Sequence, residues 1–248
     1  MDWSKYKRVL IKISGEALAG DKKTGIDFDI ARAVCAKIKE CHDHGVQIAI
    51  VVGAGNFWRG GKGNDLDRTR ADHMGMLATM MNCLALQDTF KKIDIDCRVL
   101  AAIDMQQFAE PYIRDKAVAH LENNKIVIFG CGTGNPFFTT DTAAALRAVE
   151  IAADVLLLAK SIDFVYKFDP NKPIPEGETN CRYEKISYSE LLRNENIKVI
   201  DTTAAALLKD NNLPAMLFEL GNGDNIVNAV KGDNLGTFIC SETKPLVD

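Results

Sequence analysis

The stretch KIVIFGCGTGNPFFTTDTAAAL, residues 125–146, joins an apolar run to an alanine-rich run through a glycine-rich turn. The apolar run has the length and β-branched content of a buried strand, and the alanine-rich run has the composition of a helix. Gly130, Gly132 and Gly134 allow positive φ angles and a close approach of the backbone to a ligand. The stretch therefore predicts a strand–turn–helix unit whose turn lies near a bound group.

Similar apolar runs recur along the chain without the polar alternation of a strand that faces water on one side. They are residues 8–14, 46–53, 97–102, 155–159, 198–200, 215–220 and 237–240. Helical patterns lie between them, at residues 28–44, 72–91, 115–123, 141–153, 187–195, 202–211 and 224–231. The alternation predicts an α/β fold with helices on both sides of a mostly parallel sheet.

One segment departs from this alternation. Residues 161–185 contain three of the seven prolines within six positions, and they predict a loop or a short hairpin insertion. The insertion is too short for a separate domain, so we expect a single domain over residues 1–248. Residues 241–248 are expected to form a short exposed tail.

Composition restricts the class of partner. The 248 residues carry a net charge of −4 and give a pI of about 5.7, which is not the pattern of a nucleic-acid or membrane-surface binder. The seven cysteines include no Cys-x-x-Cys pair, so we expect neither a metal site nor a redox site. The N-terminus does not resemble a signal peptide, and no run of roughly 18 apolar residues occurs. We expect a cytoplasmic protein without nucleic-acid or membrane partners.

Three glycine-bearing turns follow expected strands: KISGEAL (12–18), VVGAGNFWRGG (51–61) and the turn at 130–134. Ligands of α/β sheets bind at the carboxyl ends of strands, and exposed N–H groups there bind phosphate. The spacing fits neither the P-loop nor the dinucleotide fingerprint. Lys12 and Arg59 accompany two of the turns, which favours phosphate binding. Alternatively, Lys12 is a lysine that extends to water from an edge strand.

Four blocks together resemble bacterial-type uridylate (UMP) kinases of the amino acid kinase superfamily. They are KISGEAL (12–18), GAGNFWRG (53–60), DHMGMLATMMN (72–82) and GTGNPFFTTDTAA (132–144). The resemblance implies a three-layer αβα sandwich and the reaction ATP + UMP → ADP + UDP in pyrimidine nucleotide biosynthesis, with Mg²⁺ carried by ATP. It also implies a homohexameric, allosteric enzyme whose N-terminal half mainly binds UMP and whose C-terminal half mainly binds ATP.

The resemblance assigns site residues by position. The implied catalytic residues are Lys12, Arg59, Asp141 and Asp201, and no residue is expected to be a metal ligand. ATP would contact Lys12, Ile13, Ser14, Gly15, Gly55, Arg59, Lys160, Tyr166 and Asp169, the last three near its base and ribose. UMP would contact Gly53, Ala54, Asp72, Thr133, Gly134, Asn135, Pro136, Phe137, Phe138, Thr139 and Thr140, with Asp72 at the ribose. Asp141 and Asp201 would organise Lys12 and the metal-bound phosphates.

Several of these residues have alternative explanations. Asp141 and Asp201 each precede an alanine-rich helix and could be N-caps. Asp169 precedes a proline and could be a turn residue only. Cys131 is expected to be a small filler, because no activating base or cation is evident. The four histidines, His42, His44, His73 and His120, offer no obvious general base, and an ionised phosphate acceptor needs none.

The chain departs from the family pattern at three positions. Ala54 and Phe164 stand where relatives usually have glycine, and Gln87 stands where GTP-activated relatives tend to have arginine, so activation by GTP is not carried over. Two rival functions remain open: a superfamily kinase with a carboxylate or carbamate acceptor, and a non-catalytic nucleotide- or oxyanion-binding protein. The pair Phe137–Phe138 argues against the first, because aromatic rings suit a flat base. Retention of Lys12, Arg59, Asp141 and Asp201 argues against the second.

Overall fold

A nine-stranded sheet lies at the centre of the protein. The structure is a computed structural model that describes residues 3–58, 66–169, 173–174, 177, 179–221 and 223–241. The described strands are β1 (Arg8–Ile13), β2 (Gln47–Val52), β3 (Cys97–Ala101), β4 (Glu110–Pro111), β5 (Ile126–Gly130), β6 (Val155–Lys160), β7 (Val165–Tyr166), β8 (Arg182–Tyr183), β9 (Lys185–Ser187), β10 (Ala215–Glu219) and β11 (Thr237–Cys240).

The strand order of the sheet is β4-β3-β5-β2-β1-β6-β10-β11-β9, and β7 pairs with β8 in a separate antiparallel ribbon. Every neighbouring pair in the large sheet is parallel except β10 and β11, which run antiparallel. The expectation of a mostly parallel sheet is therefore confirmed. The ribbon agrees with the short hairpin expected within residues 161–185, although part of that segment lies outside the described residues.

Helices cover both faces of the sheet. They are α1 (Gly15–Ala19), α2 (Phe28–Asp43), α3 (Arg68–Lys91), α4 (Arg114–Glu122), α5 (Thr140–Glu150), α6 (Tyr188–Arg193), α7 (Thr202–Asp210) and α8 (Asp224–Lys231). Side chains alternate between faces along a strand. Val9 and Ile11 of β1 pack with α2, α3 and α8, whereas Leu10 packs with α4 to α7. These two cores on opposite faces confirm the three-layer αβα arrangement.

Two sequence expectations about elements are wrong. Residues 198–200 were expected to form a strand but have no strand pairing. Ile197 and Ile200 belong to a loop whose side chains are buried in the core beside α7. Their apolar character therefore reflects burial and not membership of a β-strand. In addition, α3 begins at Arg68 instead of residue 72, because the Asp67 carboxylate accepts a hydrogen bond from the Arg70 N–H and caps the helix.

None of the helices among the described residues combines the length and apolar character that crossing a membrane requires.

Candidate active site

The carboxyl ends of four adjacent strands meet at one edge of the sheet. β5, β2, β1 and β6 are neighbours in this order and all run parallel. The three glycine-bearing turns and Lys160, the last residue of β6, therefore lie side by side. This edge is where an α/β sheet forms its ligand site.

The first two glycine turns touch each other. The Gly53 N–H donates to the Ile13 carbonyl oxygen at 2.9 Å. A Cβ atom on Gly15 would lie 2.5 Å from the Gly53 carbonyl oxygen and 2.6 Å from Asn56 Oδ1. No side chain fits at that distance, so glycine at position 15 is needed for the contact between the turns.

A largely buried cluster of three charges lies at the ends of β1 and β6. Lys12 Nζ is 2.9 Å from Asp141 Oδ1, and Lys160 Nζ is 2.7 Å from Asp141 Oδ2. Lys160 Nζ also donates to the Val199 carbonyl oxygen. Lys12 follows Leu10 on the face covered by α5, which explains how it reaches a carboxylate in the first turn of that helix. The alternative in which Lys12 extends to water is excluded, since only 8% of the residue is exposed.

The cluster keeps the Asp141 carboxylate ionised. Burial by itself would raise the pKa of Asp141, but the charges of Lys12 and Lys160 and their hydrogen bonds lower it well below its usual range. Burial lowers the pKa of Lys160, and the neighbouring Lys12 charge lowers it further while Asp141 opposes the change. With both lysines protonated the cluster carries a net charge of +1, which suits an anionic group.

Asp201 connects two helix N-termini beside this cluster. Its carboxylate accepts from the Thr139 hydroxyl at 2.5 Å, from the Thr142 hydroxyl at 2.9 Å and from the Ala204 N–H at 2.9 Å. It therefore caps α7, as the sequence suggested. The suggestion that Asp141 caps α5 is wrong, because the Thr139 hydroxyl is the cap and the Asp141 carboxylate faces the lysines.

The turn after β5 is held in an unusual backbone conformation. Cys131 and Phe137 have φ angles of +63° and +71°, in the left-handed region that non-glycine residues rarely adopt. The Cys131 N–H donates to Thr79 Oγ1 of α3 at 3.0 Å, and the Phe137 N–H donates to Asp72 Oδ2 of α3 at 2.7 Å. Arg68 Nε holds the same Asp72 carboxylate at 2.9 Å. Contacts with α3 thus fix the turn at both ends.

Three neighbouring cavities lie along this edge and share lining residues. The glycine-loop pocket, about 340 Å³, lies between α3 and the turn after β5. The charged cleft, about 1040 Å³, shares Thr139 and Thr140 with that pocket and contains the Lys12–Asp141–Lys160 cluster. The aromatic pocket, about 410 Å³, shares Lys160 and residues 195–199 with the charged cleft. The charged cluster therefore lies between two pockets of different composition.

The aromatic pocket is lined by Phe164, Tyr166 and Phe168 of the β7 region. The Arg182 guanidinium of β8 lies 4.5 Å from the centre of the Phe164 ring, and the Tyr166 hydroxyl donates to Asp163 at 3.0 Å. Phe164, which stands where relatives usually have glycine, is thus part of the pocket wall.

The expected site residues divide among these cavities. Those in the described lining of the glycine-loop pocket are Ala54, Gly55, Asp72, Thr133, Asn135, Phe138, Thr139 and Thr140. Lys12, Asp141, Lys160 and Asp201 line the charged cleft, and Lys160, Tyr166 and Asp169 line the aromatic pocket. The other expected site residues in the described chain surround these three cavities without lining them: Ile13 at the end of β1, and Ser14, Gly15, Gly53, Gly134, Pro136 and Phe137. Arg59 lies outside the described residues.

Sequence reasoning missed the polar residues that support the turns. Thr79, Thr142, Asn56 and Asn82 are all buried, and each donates or accepts a hydrogen bond at a turn or a helix terminus of the site. Asn82 carried a signal, because it is a lone amide in the apolar middle of a helix. Thr142 carried no such signal in the sequence, because its hydroxyl meets Asp201 only in the folded chain.

The remaining candidates have local structural roles. Burial raises the pKa of the Cys131 thiol to about 11, so the thiol is not activated, as expected of a filler. None of the four histidines is among the described residues that line the cavities. His42 instead contacts the Asn124 carbonyl oxygen at 3.0 Å and His120 contacts Glu110 at 3.1 Å.

Comparison with known proteins agrees with this architecture. A model of the amino acid kinase family matches residues 7–219. A UMP kinase from Bacillus anthracis superposes with a TM-score of 0.89 at 37% identity, covering 98% of this chain and 99% of its own. A UMP kinase from Ureaplasma parvum gives 0.86 at 33% identity, covering 95% and 99%. A uridylate kinase from Archaeoglobus fulgidus gives 0.70 at 26% identity, covering 94% and 99%.

Proposed function

The chain belongs to the amino acid kinase family, and we propose that it transfers the γ-phosphoryl group of ATP to UMP, giving ADP and UDP. The observation that carries the proposal is the largely buried Lys12–Asp141–Lys160 cluster between two pockets. Phosphoryl transfer between nucleotides requires two bound substrates in line and cationic groups at the phosphates between them. A pocket on each side of a net positive cluster meets that requirement.

We assign UMP to the glycine-loop pocket and the base and ribose of ATP to the aromatic pocket. The glycine-loop pocket offers hydroxyls from Thr133, Thr139 and Thr140 and a carboxylate from Asp72, which are partners for ribose and phosphate. The aromatic pocket offers flat rings that suit a purine.

The chemistry requires positioning and charge neutralisation. An oxygen of the UMP phosphate bonds to the γ-phosphorus while the bond to the β–γ bridging oxygen breaks, and ADP leaves. The acceptor oxygen is already ionised near neutral pH, so no side chain needs to remove a proton. Lys12 and Lys160 balance the charge on the transferring oxygens, and Asp141 holds both ammonium groups in position.

Mg²⁺ would enter with ATP, and the charged cleft can accept it. Mg²⁺ in nucleotide sites takes one or two carboxylates besides phosphate oxygens, and it neutralises developing charge there. Asp141, Asp201 and Glu195 are carboxylates of the described lining.

An assay of ADP formation with a panel of acceptors tests the proposal. We expect ATP consumption to accelerate with UMP and to produce UDP. Acceleration by a carboxylate or carbamate acceptor instead of UMP would favour the rival kinase. Binding of nucleotides without ADP formation by any acceptor would favour the non-catalytic alternative.

We further propose a cytoplasmic homohexamer that acts in pyrimidine nucleotide biosynthesis and responds to nucleotide effectors. All seven cysteines are free, which suits a reducing compartment.

The candidate contact between copies is an exposed apolar row along α3, formed by Met74, Leu77, Met81 and Leu84. Light scattering should give six copies per particle, and Leu77→Glu should reduce that number. A monomeric wild type would contradict this assembly, and an activity unchanged by GTP and UTP would contradict effector regulation.

A further inference from the structure

We propose that Asn56 and Asn82 act as a positioning pair that orients the peptide between Gly53 and Ala54 for phosphoryl transfer. The proposal rests on the function proposed above, because it gives this turn a role at the transferring phosphate. Asn56 lies within the second glycine turn, and Asn82 lies in the middle of α3. Neither side chain is in the described lining of the three cavities, so both would act through the backbone.

The two amides bond to each other inside the protein. Asn82 is 0% exposed and Asn56 is 2% exposed. Asn82 Nδ2 donates to Asn56 Oδ1 at 2.8 Å, and Asn56 Nδ2 donates to Asn82 Oδ1 at 2.9 Å. The remaining N–H of each amide reaches a backbone carbonyl: Asn82 donates to Gly53 at 2.8 Å and Asn56 donates to Gly25 at 2.7 Å. All four amide hydrogens are therefore used.

These bonds fix the direction of one peptide plane. Gly53 is held at its N–H by the Ile13 carbonyl oxygen and at its own carbonyl oxygen by Asn82. In a trans peptide the carbonyl oxygen and the next N–H point in opposite directions. Because the Gly53 oxygen points toward Asn82 in the core, the Ala54 N–H points away from it. Ala54 lines the glycine-loop pocket, so this N–H is directed to the proposed phosphate side.

The pair also joins three separate segments. Asn56 bonds the segment before α2, since its backbone oxygen accepts from the Gly25 N–H and its side chain donates to the Gly25 oxygen. Asn82 belongs to α3, the helix that also carries Asp72 and Thr79 of the same pocket, and it bonds this helix to Gly53. A Cβ on Gly15 would lie 2.6 Å from Asn56 Oδ1, so the first glycine turn packs directly on the pair. A shift of α3 would therefore move the turn.

Two variants of Asn82 and one control test the proposal. Asn82→Asp keeps the shape but replaces the donor with an acceptor, and Asn82→Leu removes the polar group. We expect kcat per folded enzyme at 20 °C to fall about 30-fold in both variants, with KM for ATP changed less than about threefold. The reason is that the Ala54 N–H would stabilise charge in the transition state, so turning it away slows the reaction without weakening ATP binding. Amide hydrogen exchange of residues 53–57 should accelerate in parallel. Thr89→Val is the control, because Thr89 is a buried polar residue of α3 whose hydroxyl bonds only within the helix, to the Ala85 oxygen, and we expect it to change neither quantity.

The results separate a positioning role from a purely structural one. A lower melting temperature with kcat per folded enzyme within about twofold of wild type would overturn the proposal. If both Asn82 variants fail to fold, Asn56→Ala decides, because it removes the two bonds that hold the Asn82 amide toward the Gly53 oxygen. A folded Asn56→Ala with a kcat loss of about fivefold supports the proposal, and one within about twofold overturns it. If the wild type does not phosphorylate UMP, the proposed function fails. Separately, unchanged amide hydrogen exchange of residues 53–57 in Asn82→Asp would overturn the role of the Asn56–Asn82 pair.

Discussion

The two pockets on either side of the charged cluster are built differently. The glycine-loop pocket is formed by turns that leave the central strands, and its loop is tied to α3 through backbone N–H groups of Cys131 and Phe137. The aromatic pocket is formed by side chains of a ribbon with two residues in each strand and by the irregular segment 195–199. The first pocket is therefore held by backbone hydrogen bonds to α3, whereas the second depends on the positions of side chains. We infer strict selection at the acceptor and looser selection at the donor.

Lys12→Met should have the largest effect on activity. It tests whether the charged cluster acts on the transferred phosphoryl group or only helps to bind a nucleotide in one of the two pockets. We expect kcat to fall roughly 10²- to 10³-fold, because a group that stabilises transition-state charge is removed. UMP affinity measured by calorimetry should stay within about threefold. Lys22→Met is the matched control, since Lys22 is an exposed lysine paired with Asp27. Equal losses in UMP affinity and turnover would place Lys12 in the acceptor pocket.

Acid titration of the protein without nucleotides tests whether the ion pairs of Asp141 in the cluster stabilise the fold. The pKa of Asp141 is lowered from 3.8 to about 2, so the folded protein holds this proton less tightly than the unfolded chain. The stabilisation is present above pH 3.8 and is lost as the pH falls toward 2. Wild type should lose roughly 5 °C more in melting temperature over this range than Asp141→Asn, measured by calorimetry. Parallel curves for the two proteins would show that the carboxylate is not held by the lysines.

Asp72→Asn tests the rigidity of the glycine-loop pocket. The substitution removes the charge that holds Arg68 and the Phe137 N–H, so the strained loop should relax away from α3. We expect KM for UMP to rise about tenfold while KM for ATP stays within about twofold. Asp88→Asn, which removes an exposed ion pair with Lys92 on the same helix, should leave both unchanged. A rise confined to ATP would reverse the assignment of the pockets.

Phe164→Gly should have the smallest effect and tests the adaptability of the aromatic pocket. It removes one wall and the cation–π contact with Arg182. We expect KM for ATP to rise about threefold with UMP kinetics unchanged, because the remaining rings still line the pocket. Steady-state kinetics with each nucleotide varied in turn measures this. A loss of ATP binding comparable to the Asp72 effect on UMP would show that both pockets are equally rigid.

Much of the fold could be predicted from the sequence. Long apolar runs such as residues 46–53 and long periodic segments such as residues 28–44 became β2 and α2 with small changes of boundary. Short segments failed, because a run such as residues 198–200 is too short for its periodicity to separate a strand from a buried loop. The helix caps show the same limit: Asp201 caps α7, but Thr139 and not Asp141 caps α5.

The candidate site divides in the same way. The glycine turns and Lys12 are visible in the sequence because their motifs are local, whereas the site roles of Asp141 and Asp201 came from the resemblance. The bonds of Lys160 to Asp141 and of Asn82 to Gly53 are not, because they join residues far apart in the chain. The sequence by itself determined the layered α/β fold and the place of the site, since buried strands and glycine turns have local patterns. Only the tertiary structure decided which polar groups pair, because a buried hydrogen bond is set by the packing of whole elements and leaves no fixed spacing in the chain.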